Sequence, residues 1–173
     1  PPREPALHAT RVEPVPGTAI AVSRTLARHP KLNEARSARA NFINRVSKLS
    51  PKHREMLILR IGWDCRAEYE WAKHVGSVGR AREHGLEPRH IAEGPSSPAW
   101  NAFERAILTG VDELFRDGLV SDATWKALST EFDQTSLMSA IFTASSYQAT
   151  SMVLNALGVQ LEPGDERFPQ VSG

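Results

Sequence analysis

The sequence predicts an all-α fold formed by a single domain. Apolar residues recur at helical spacing in several segments, and no segment alternates apolar and polar residues between turns as a strand does. Proline and glycine stand where helices are expected to begin and end. A chain of 173 residues is long enough for one domain with its own hydrophobic core.

The N-terminal third is predicted to hold an extended arm and two helices. Residues 1–16 contain five prolines, which favours an arm that is disordered or lies along its own subunit or a neighbour. A short helix is predicted over 17–28 and a longer one over 31–49, with Pro30 in the first turn of the second. The basic residues of the longer helix are expected on a solvated face: Arg36, Arg39, Arg45 and Lys48.

Ser50 and Pro51 predict the start of the central helix. A hydroxyl side chain caps a helix N-terminus, and proline suits the first helical position. The residues that follow, as far as Trp63, are apolar on nearly every side, which predicts a buried helix.

A second central helix is predicted to follow a break at 64–67 and to run to residue 83 or 84, where Gly85 ends it. Its core-facing stripe is expected to consist of Trp71, Val75 and Val78. Gly76 and Gly79 lower the helix propensity of this segment, which indicates that a neighbouring element passes close to it.

The remaining chain is predicted to form further helices and a tail. A short helix is expected within 86–93, a longer one over 99–116, and another that Ser121 caps. The last helix, over Gln134–Leu157, has small residues in its middle, so it should pack closely in the core or against another subunit. The helical domain is expected to span 17–164, and 165–173 to form a tail.

Three ionisable residues of the central helices are the predicted catalytic residues. Glu70 and His74 lie four residues apart, so their side chains share one helix face. Glu55 lies near the start of the preceding apolar helix. A carboxylate and an imidazole on a helix that packs against apolar neighbours either satisfy one another or perform chemistry, and both interpretations stay open at this point.

Composition excludes several classes of partner. The formal charge of +1 gives no reason to expect nucleic acid, and no apolar run reaches the ~20 residues that span a bilayer. No signal peptide is predicted from the proline-rich N-terminus, and a cytoplasmic location is expected. Cys65 is the single cysteine, so a disulfide within the chain is impossible. Glu70 and His74 have helical metal-ligand spacing without a second His or Cys pair, so no metal site is predicted.

These residues carry a resemblance to a known family. The pattern RE-x-LILR followed by YEW-x-x-H and a turn at GL resembles the carboxymuconolactone decarboxylase and alkylhydroperoxidase D-like (AhpD-like) family. The stretches VDELFRDGLVSDATWKAL and MVLNALGVQLEPG support it, and the resemblance covers about residues 17–164. It implies an all-helical, homo-oligomeric protein whose active sites lie close to subunit contacts.

The resemblance also implies which residues act. Aligned on His74, the conserved glutamate of the peroxidase branch falls on Glu55, and its two cysteines fall on Ala67 and Glu70. Both thiols are therefore missing, although Cys65 lies two residues before the first position. The resemblance thus favours the decarboxylase branch, which uses neither metal nor redox cofactor, although this chain is longer at both ends than the short decarboxylases.

The predicted function is a cofactor-independent, carboxymuconolactone decarboxylase-like enzyme. It would transfer protons on a small organic acid, lactone or related carbonyl compound, with His74 as donor, Glu70 orienting the ring and Glu55 as a second relay. The substrate pocket is expected to involve Cys65, Tyr69, Trp71 and Tyr147.

Two alternatives remain from the sequence. One is an alkylhydroperoxidase-like thiol peroxidase that uses Cys65 with an intermolecular partner. The other is a non-catalytic helical oligomer that binds a small ligand.

The chain is expected to form a homo-oligomer, whether dimer, trimer or hexamer. The arm has little core of its own, and the last helix offers a seam of small residues. Trp100, Phe103 and Phe115 are expected to add apolar surface beyond the needs of a monomer.

Overall fold

The fold consists of α-helices joined by short connections, and a computed structural model describes residues 9–17 and 19–171 of it. The eight α-helices of this described part are α1 (Ala21–Leu26), α2 (Pro30–Asn41), α3 (Pro51–Asp64), α4 (Glu68–Val75), α5 (Pro88–Glu93), α6 (Ala102–Asp117), α7 (Asp122–Leu128) and α8 (Gln134–Leu157). Short 3-10 helices lie at Ala81–His84 and Gly94–Ser96. Residues 9–17 and 19–171 contain no strand. The all-α prediction is confirmed.

Helix α3 is the centre of the core. The hydroxyl of Ser50 accepts a hydrogen bond from the backbone N–H of His53 at 3.1 Å, and Pro51 occupies the first helical position. Every residue from 55 to 62 is buried, because α4, α6 and α8 all pack around this helix. The prediction of a central, buried helix is confirmed, and the structure shows that Glu55 is buried within it.

Helix α4 is shorter than the sequence indicates. It ends at Val75, the chain turns through Gly76–Arg80, and only then does the 3-10 helix begin. Val78, predicted to face the core, is therefore exposed, and that prediction is wrong. Gly85 does end the segment in the left-handed conformation, with a φ of 75°.

Helix α2 lies on the outside of the bundle. Its first residue is Pro30, as predicted, but the α-helix gives way at Phe42–Val46 to a π-helical turn. None of its residues is buried. Arg36 and Arg39 are nevertheless half-buried rather than solvated, which corrects the prediction of a wholly solvated basic face.

The segments at the two ends of the chain contact the helical body. Residues 1–8 of the predicted arm, Thr18 and residues 172–173 lie outside the described residues. In the described arm, the N–H groups of Arg11 and Val12 donate to the carbonyl of Leu157, so this part lies along its own chain. The predicted tail also packs inwards, since the ring of Phe168 contacts Trp63 and Trp71.

Part of the exposed apolar surface lies on α8. Trp100 and Phe103 are buried, contrary to the expectation that they would add apolar surface, while Phe115 is exposed as expected. Met138 and Met152 of α8 are 71% and 62% exposed. No helix in the described ranges has the length and apolar character needed to cross a membrane.

Candidate acid–base site

His74 lies between two carboxylates in the interior of the protein. Its Nδ1 is 2.6 Å from Oε2 of Glu55, and its Nε2 is 3.0 Å from Oε1 of Glu70. All three side chains are buried. The structure therefore brings together the three residues that the sequence singles out, and both ring nitrogens of the histidine have a carboxylate partner.

Two neighbouring helices position these groups. Glu55 lies in the second turn of α3, where Nε of Arg54 is 3.4 Å from its Oε1. Glu70 and His74 lie one turn apart on α4, a helix whose eight residues are all buried. Because α4 packs directly on α3, the carboxylate of Glu55 faces the imidazole ring across the helix–helix contact.

The charges of the three residues stabilise one another. Burial alone would lower the pKa of His74, but the adjacent charge of Glu55, together with hydrogen bonds to Glu55 and Glu70, raises it well above its usual value. Burial also acts to raise the pKa of Glu55, yet the charge of His74 and then that of Arg54 bring it below its usual value. The pair is therefore an ionised carboxylate and an imidazolium that donates from both nitrogens.

Gly79 makes room for the Glu55–His74 pair. A Cβ atom at this position would lie 2.8 Å from Cα of His74, and closer still to the carboxylate of Glu55 and the carbonyl of His74. Real Cβ atoms do not approach other atoms within 3.0 Å. The backbone of a neighbouring helix, predicted to pass close to this glycine, is not what approaches it: the near groups are the side-chain carboxylate of Glu55 on α3 and the backbone of His74 in the same segment.

A cavity of about 230 Å³ opens beside the site. Glu70 and His74 line it, whereas Glu55 lies behind the histidine and does not. Tyr69 and Tyr147, both predicted pocket residues, also line it. The hydroxyl of Tyr69 accepts a hydrogen bond from the N–H of Val22 at 3.1 Å. The ring of Tyr147 meets the ring of His74 edge to face, with 5.1 Å between the centroids.

Other polar residues on the cavity wall were not predicted: Arg36, Arg39, Asn44, Lys73 and Thr150. The spacing of Arg36, Arg39 and Ile43 by three and four residues is the one signal that places the arginines on a common face with an apolar residue. Lys73 is neutralised by Glu162 and Asp165.

Cys65 and Trp71 do not line this cavity. Trp71 is fully buried and contacts Trp63 and Phe168, so it is a core residue. Cys65 caps the C-terminus of α3, where burial and then the charge of Asp64 raise the pKa of its thiol to about 12. A thiol with that pKa is protonated at neutral pH and is a poor nucleophile.

In the described part of the chain, no three His, Cys, Asp or Glu side chains are arranged to hold a metal ion. The cluster of Glu55, Glu70 and His74 contains one imidazole, and both of its nitrogens already face a carboxylate. These nitrogen and oxygen atoms are therefore bound to one another and are not directed at a common metal position.

Comparison with known proteins adds information on the fold alone. No family model matches the chain, and no curated protein does. A protein of unknown function from Agrobacterium tumefaciens, provisionally described as antioxidant defence protein AhpD, shares the fold. Its TM-score is 0.71 at 17% identity, over 78% of this chain and 93% of that chain. The fold is AhpD-like.

A second solved structure gives the same result. An uncharacterized peroxidase-related protein from a Silicibacter species superimposes with a TM-score of 0.72 at 17% identity, over 82% of this chain and 76% of that chain. Identity this low shows a common fold, so the chemistry has to be argued from the side chains of this chain.

The ion pair makes stability depend on pH in a defined window. Because folding lowers the pKa of Glu55, its contribution is present above pH 4.5, its ordinary value, and is lost as the pH falls through the folded value. Because folding raises the pKa of His74, its contribution is complete below pH 6.5 and is lost as the pH rises through the folded value. We expect His74→Gln to lower the free energy of unfolding by about 3–5 kcal/mol near pH 6, since it removes the charged partner that the buried carboxylates of Glu55 and Glu70 share.

Urea unfolding of the wild type and of His74→Gln from pH 4 to pH 10 measures the difference between their free energies of unfolding. His84→Gln is the control, because that histidine is only partly buried, and its effect on the free energy of unfolding should be small. A difference between wild type and His74→Gln that does not vary with pH would contradict the ion pair.

Gly79 should tolerate no side chain. We expect Gly79→Ala to lower the free energy of unfolding by about 1–3 kcal/mol, because the methyl group displaces Glu55 or the backbone of His74. Gly110→Ala is the matched control. Gly110 lies within α6, where alanine favours the helix by up to about 1 kcal/mol, and its Cβ would lie 3.5 Å from the nearest side chain, that of Thr124 in α7. Equal stabilities of the two variants in urea unfolding would show that Gly79 is not constrained by the site.

Proposed function

We propose that this protein is a cofactor-independent enzyme that transfers protons at a carbon atom of a small organic acid, lactone or related carbonyl compound. Decarboxylation of the carboxymuconolactone type is the reaction we favour. The observation that carries the proposal is that His74 is held between Glu55 and Glu70, with Glu70 on the wall of a cavity of about 230 Å³.

The arrangement favours Glu70 as the group that meets the substrate. Both ring nitrogens of His74 already face a carboxylate, so the histidine has no free N–H to offer to the cavity. The proton on its Nε2 points to Glu70, whose carboxylate lines the cavity. The roles assigned from the sequence are thereby changed: His74 supplies the proton, Glu70 delivers it, and Glu55 is a positioning residue that keeps the imidazole charged.

The chemical steps balance without an external oxidant or reductant. When the substrate carboxylate leaves as CO₂, the electron pair of the broken C–C bond stays on the substrate as an enolate. His74 transfers the proton on its Nε2 to the carboxylate of Glu70, which passes it to the enolate carbon, and the solvent then returns a proton to the histidine. The same groups acting in reverse remove a proton next to a carbonyl group.

Neighbouring side chains fix the geometry of the cavity. The hydroxyl of Tyr69 is tied to the backbone of Val22, and the ring of Tyr147 rests against the imidazole. Fixed groups of this kind hold a substrate near the proton donor, which is a large part of what an enzyme contributes to such a reaction.

The thiol peroxidase alternative lacks support in the geometry. The resemblance to the AhpD-like family puts a carboxylate, Glu70, where the second thiol of the peroxidase branch would stand. The one available thiol, Cys65, lies outside the cavity lining and has a pKa raised to about 12. Acid–base chemistry therefore uses Glu70 and His74, which line the cavity, whereas thiol chemistry would need Cys65, which does not.

Proton exchange tests the proposal directly. We expect the enzyme to release CO₂ from, or to incorporate solvent deuterium next to the carbonyl of, at least one compound in a panel of small oxo acids and lactone acids, as followed by NMR. Glu70→Gln and His74→Gln should lower that rate by about 10²–10⁴, because each removes a member of the relay. Glu55→Gln should shift the pH profile of the rate, since the histidine loses the charge that raises its pKa.

Arg45→Gln is the control for these variants, because Arg45 is exposed and does not line the acid–base cavity. Full activity of Glu70→Gln, or no reaction with any member of the panel, would overturn the proposal.

We also propose that the chain works as a homo-oligomer through one face of α8. The exposed residues of this face follow one another at alternating steps of four and three, and we call them the α8 seam: Met138, Phe142, Ser145, Ala149, Met152 and Ala156. Such spacing is the pattern by which one helix packs along another. The whole of α8 contains no charged residue, so nothing in it opposes contact with an apolar partner surface.

Sedimentation at micromolar concentration tests this assembly. We expect a species heavier than the 19.1 kDa chain, whether dimer, trimer or hexamer, and we expect Met152→Glu to dissociate it by placing a charge in an apolar interface. Leu119→Glu is the control, since Leu119 is also exposed but lies outside the seam. A folded, active wild type that sediments as a single chain would contradict the oligomer.

A further inference from the structure

A second cavity adjoins the acid–base cavity. It has a volume of about 210 Å³ and lies between α1, α2 and α8. Its apolar lining consists of Leu26, Leu32, Ala35, Ala149, Val153 and Leu154. Arg36, Arg39 and Thr150 line both cavities, so these three residues form the boundary between an apolar space and the space that holds Glu70 and His74.

Among the described residues, the two arginines at this boundary have no carboxylate partner. Nη2 of Arg39 donates to the hydroxyl of Thr150 at 2.6 Å, and Nη2 of Arg36 is 3.5 Å from Oδ1 of Asn33. Nε of Arg36 is buried and has no hydrogen-bond acceptor among the described residues. Within that part of the chain, no Asp or Glu lies within ion-pair distance of either guanidinium.

This lack of carboxylate partners distinguishes the two arginines from Lys73 and His74, the other cationic side chains of the acid–base cavity. Lys73 is neutralised by Glu162 and Asp165, and the charges of His74 are matched by its two glutamates. The uncompensated positive charge of both cavities is therefore concentrated at Arg36 and Arg39. A guanidinium group matches the two oxygens of a carboxylate and binds it through parallel hydrogen bonds.

The apolar cavity has side chains on its wall that are exposed to solvent and that a bound apolar group would remove from water. Leu32 is 46% exposed and Val153 is 41% exposed, and both face this space. Removing apolar surface from water is favourable, and an apolar cavity of roughly 150 Å³ is already large enough to hold a benzene molecule. The space therefore suits an aliphatic chain.

We propose that the two cavities together bind one amphipathic organic acid, whose carboxylate lies on Arg36 and Arg39 and whose aliphatic chain occupies the apolar cavity. On the proposed function, on which this assignment of the substrate rests, the reacting carbonyl carbon of the same molecule lies in the acid–base cavity next to Glu70. The substrate class is then an oxo acid or lactone acid that carries an aliphatic substituent. Arg36 and Arg39 select for the carboxylate, and the apolar cavity selects for the chain.

Calorimetric titration with sodium octanoate tests the carboxylate and chain positions without any turnover. In the series from butanoate to octanoate, affinity should rise roughly fourfold for each added methylene group. Octanamide, which has the same chain without the charge, should bind at least about tenfold more weakly than octanoate. Equal affinity for octanoate and octanamide, or no dependence on chain length, overturns the proposal on the wild-type protein alone.

Variants assign the effect to residues. Arg39→Gln and Arg36→Gln should each lower the affinity for octanoate by about tenfold or more and leave that for octanamide unchanged, while Arg45→Gln should change neither. Ala35→Phe should fill the apolar cavity, so that octanoate binds no better than butanoate. Unchanged octanoate binding in both arginine variants overturns the carboxylate site.

The competing occupant of the apolar cavity is a second copy of the chain. If Ala35→Phe dissociates the oligomer in sedimentation and wild type does not bind octanoate, the cavity belongs to a subunit contact and the proposal fails. Glu70→Gln separates this proposal from the proposed function, because it should bind octanoate like wild type. If the wild-type protein transfers protons with no compound of the panel but binds octanoate, the proposed function is overturned and the binding site remains supported.

Discussion

The buried contact between His74 and two carboxylates is the interaction on which the central structure depends. An isolated charge in the interior is strongly unfavourable, so each of these groups can be buried only while the others are in place. The arrangement of α3 against α4 and the absence of a side chain at Gly79 are both needed to bring Glu55 onto the imidazole. The early end of α4 has the same origin, because the chain has to turn at Gly76–Arg80 to pass over this pair.

Much of the fold could be predicted because the sequence marks its helices locally. The cap at Ser50 and the apolar run of α3 each act over a few residues, and both are present in the structure, whereas Gly85 ends the 3-10 helix and not α4. The convergence of Glu55 on His74 was predictable only through the family resemblance, since no spacing relates residues on different helices. The end of α4 was missed because Val78 continues the apolar period, although the turn displaces it into solvent.

The arginines of α2 show where prediction from sequence reaches its limit. Arg36 and Arg39 resemble Arg45 and Lys48 in charge and in their place on the predicted helix, yet of these four only Arg36 and Arg39 line the acid–base cavity. What distinguishes them is the position of α2 over α8, and this depends on contacts between distant parts of the chain such as the one between Arg39 and Thr150. In the same way, the sequence grouped Cys65 and Trp71 with the pocket residues because they are near in the chain, whereas one caps α3 and the other fills the core.

The lack of buried residues in α2 has a consequence for how the cavities are reached. A helix that buries so little contributes little to the cooperative unit formed by α3, α4, α6 and α8, and such peripheral segments open locally at a small fraction of the global unfolding free energy. Local opening of α2 would uncover both cavities at once, because Arg36 and Arg39 move with it. A ligand can then enter while the ion pair on α3 and α4 remains intact, and a carboxylate bound by the two arginines would hold α2 closed by mass action.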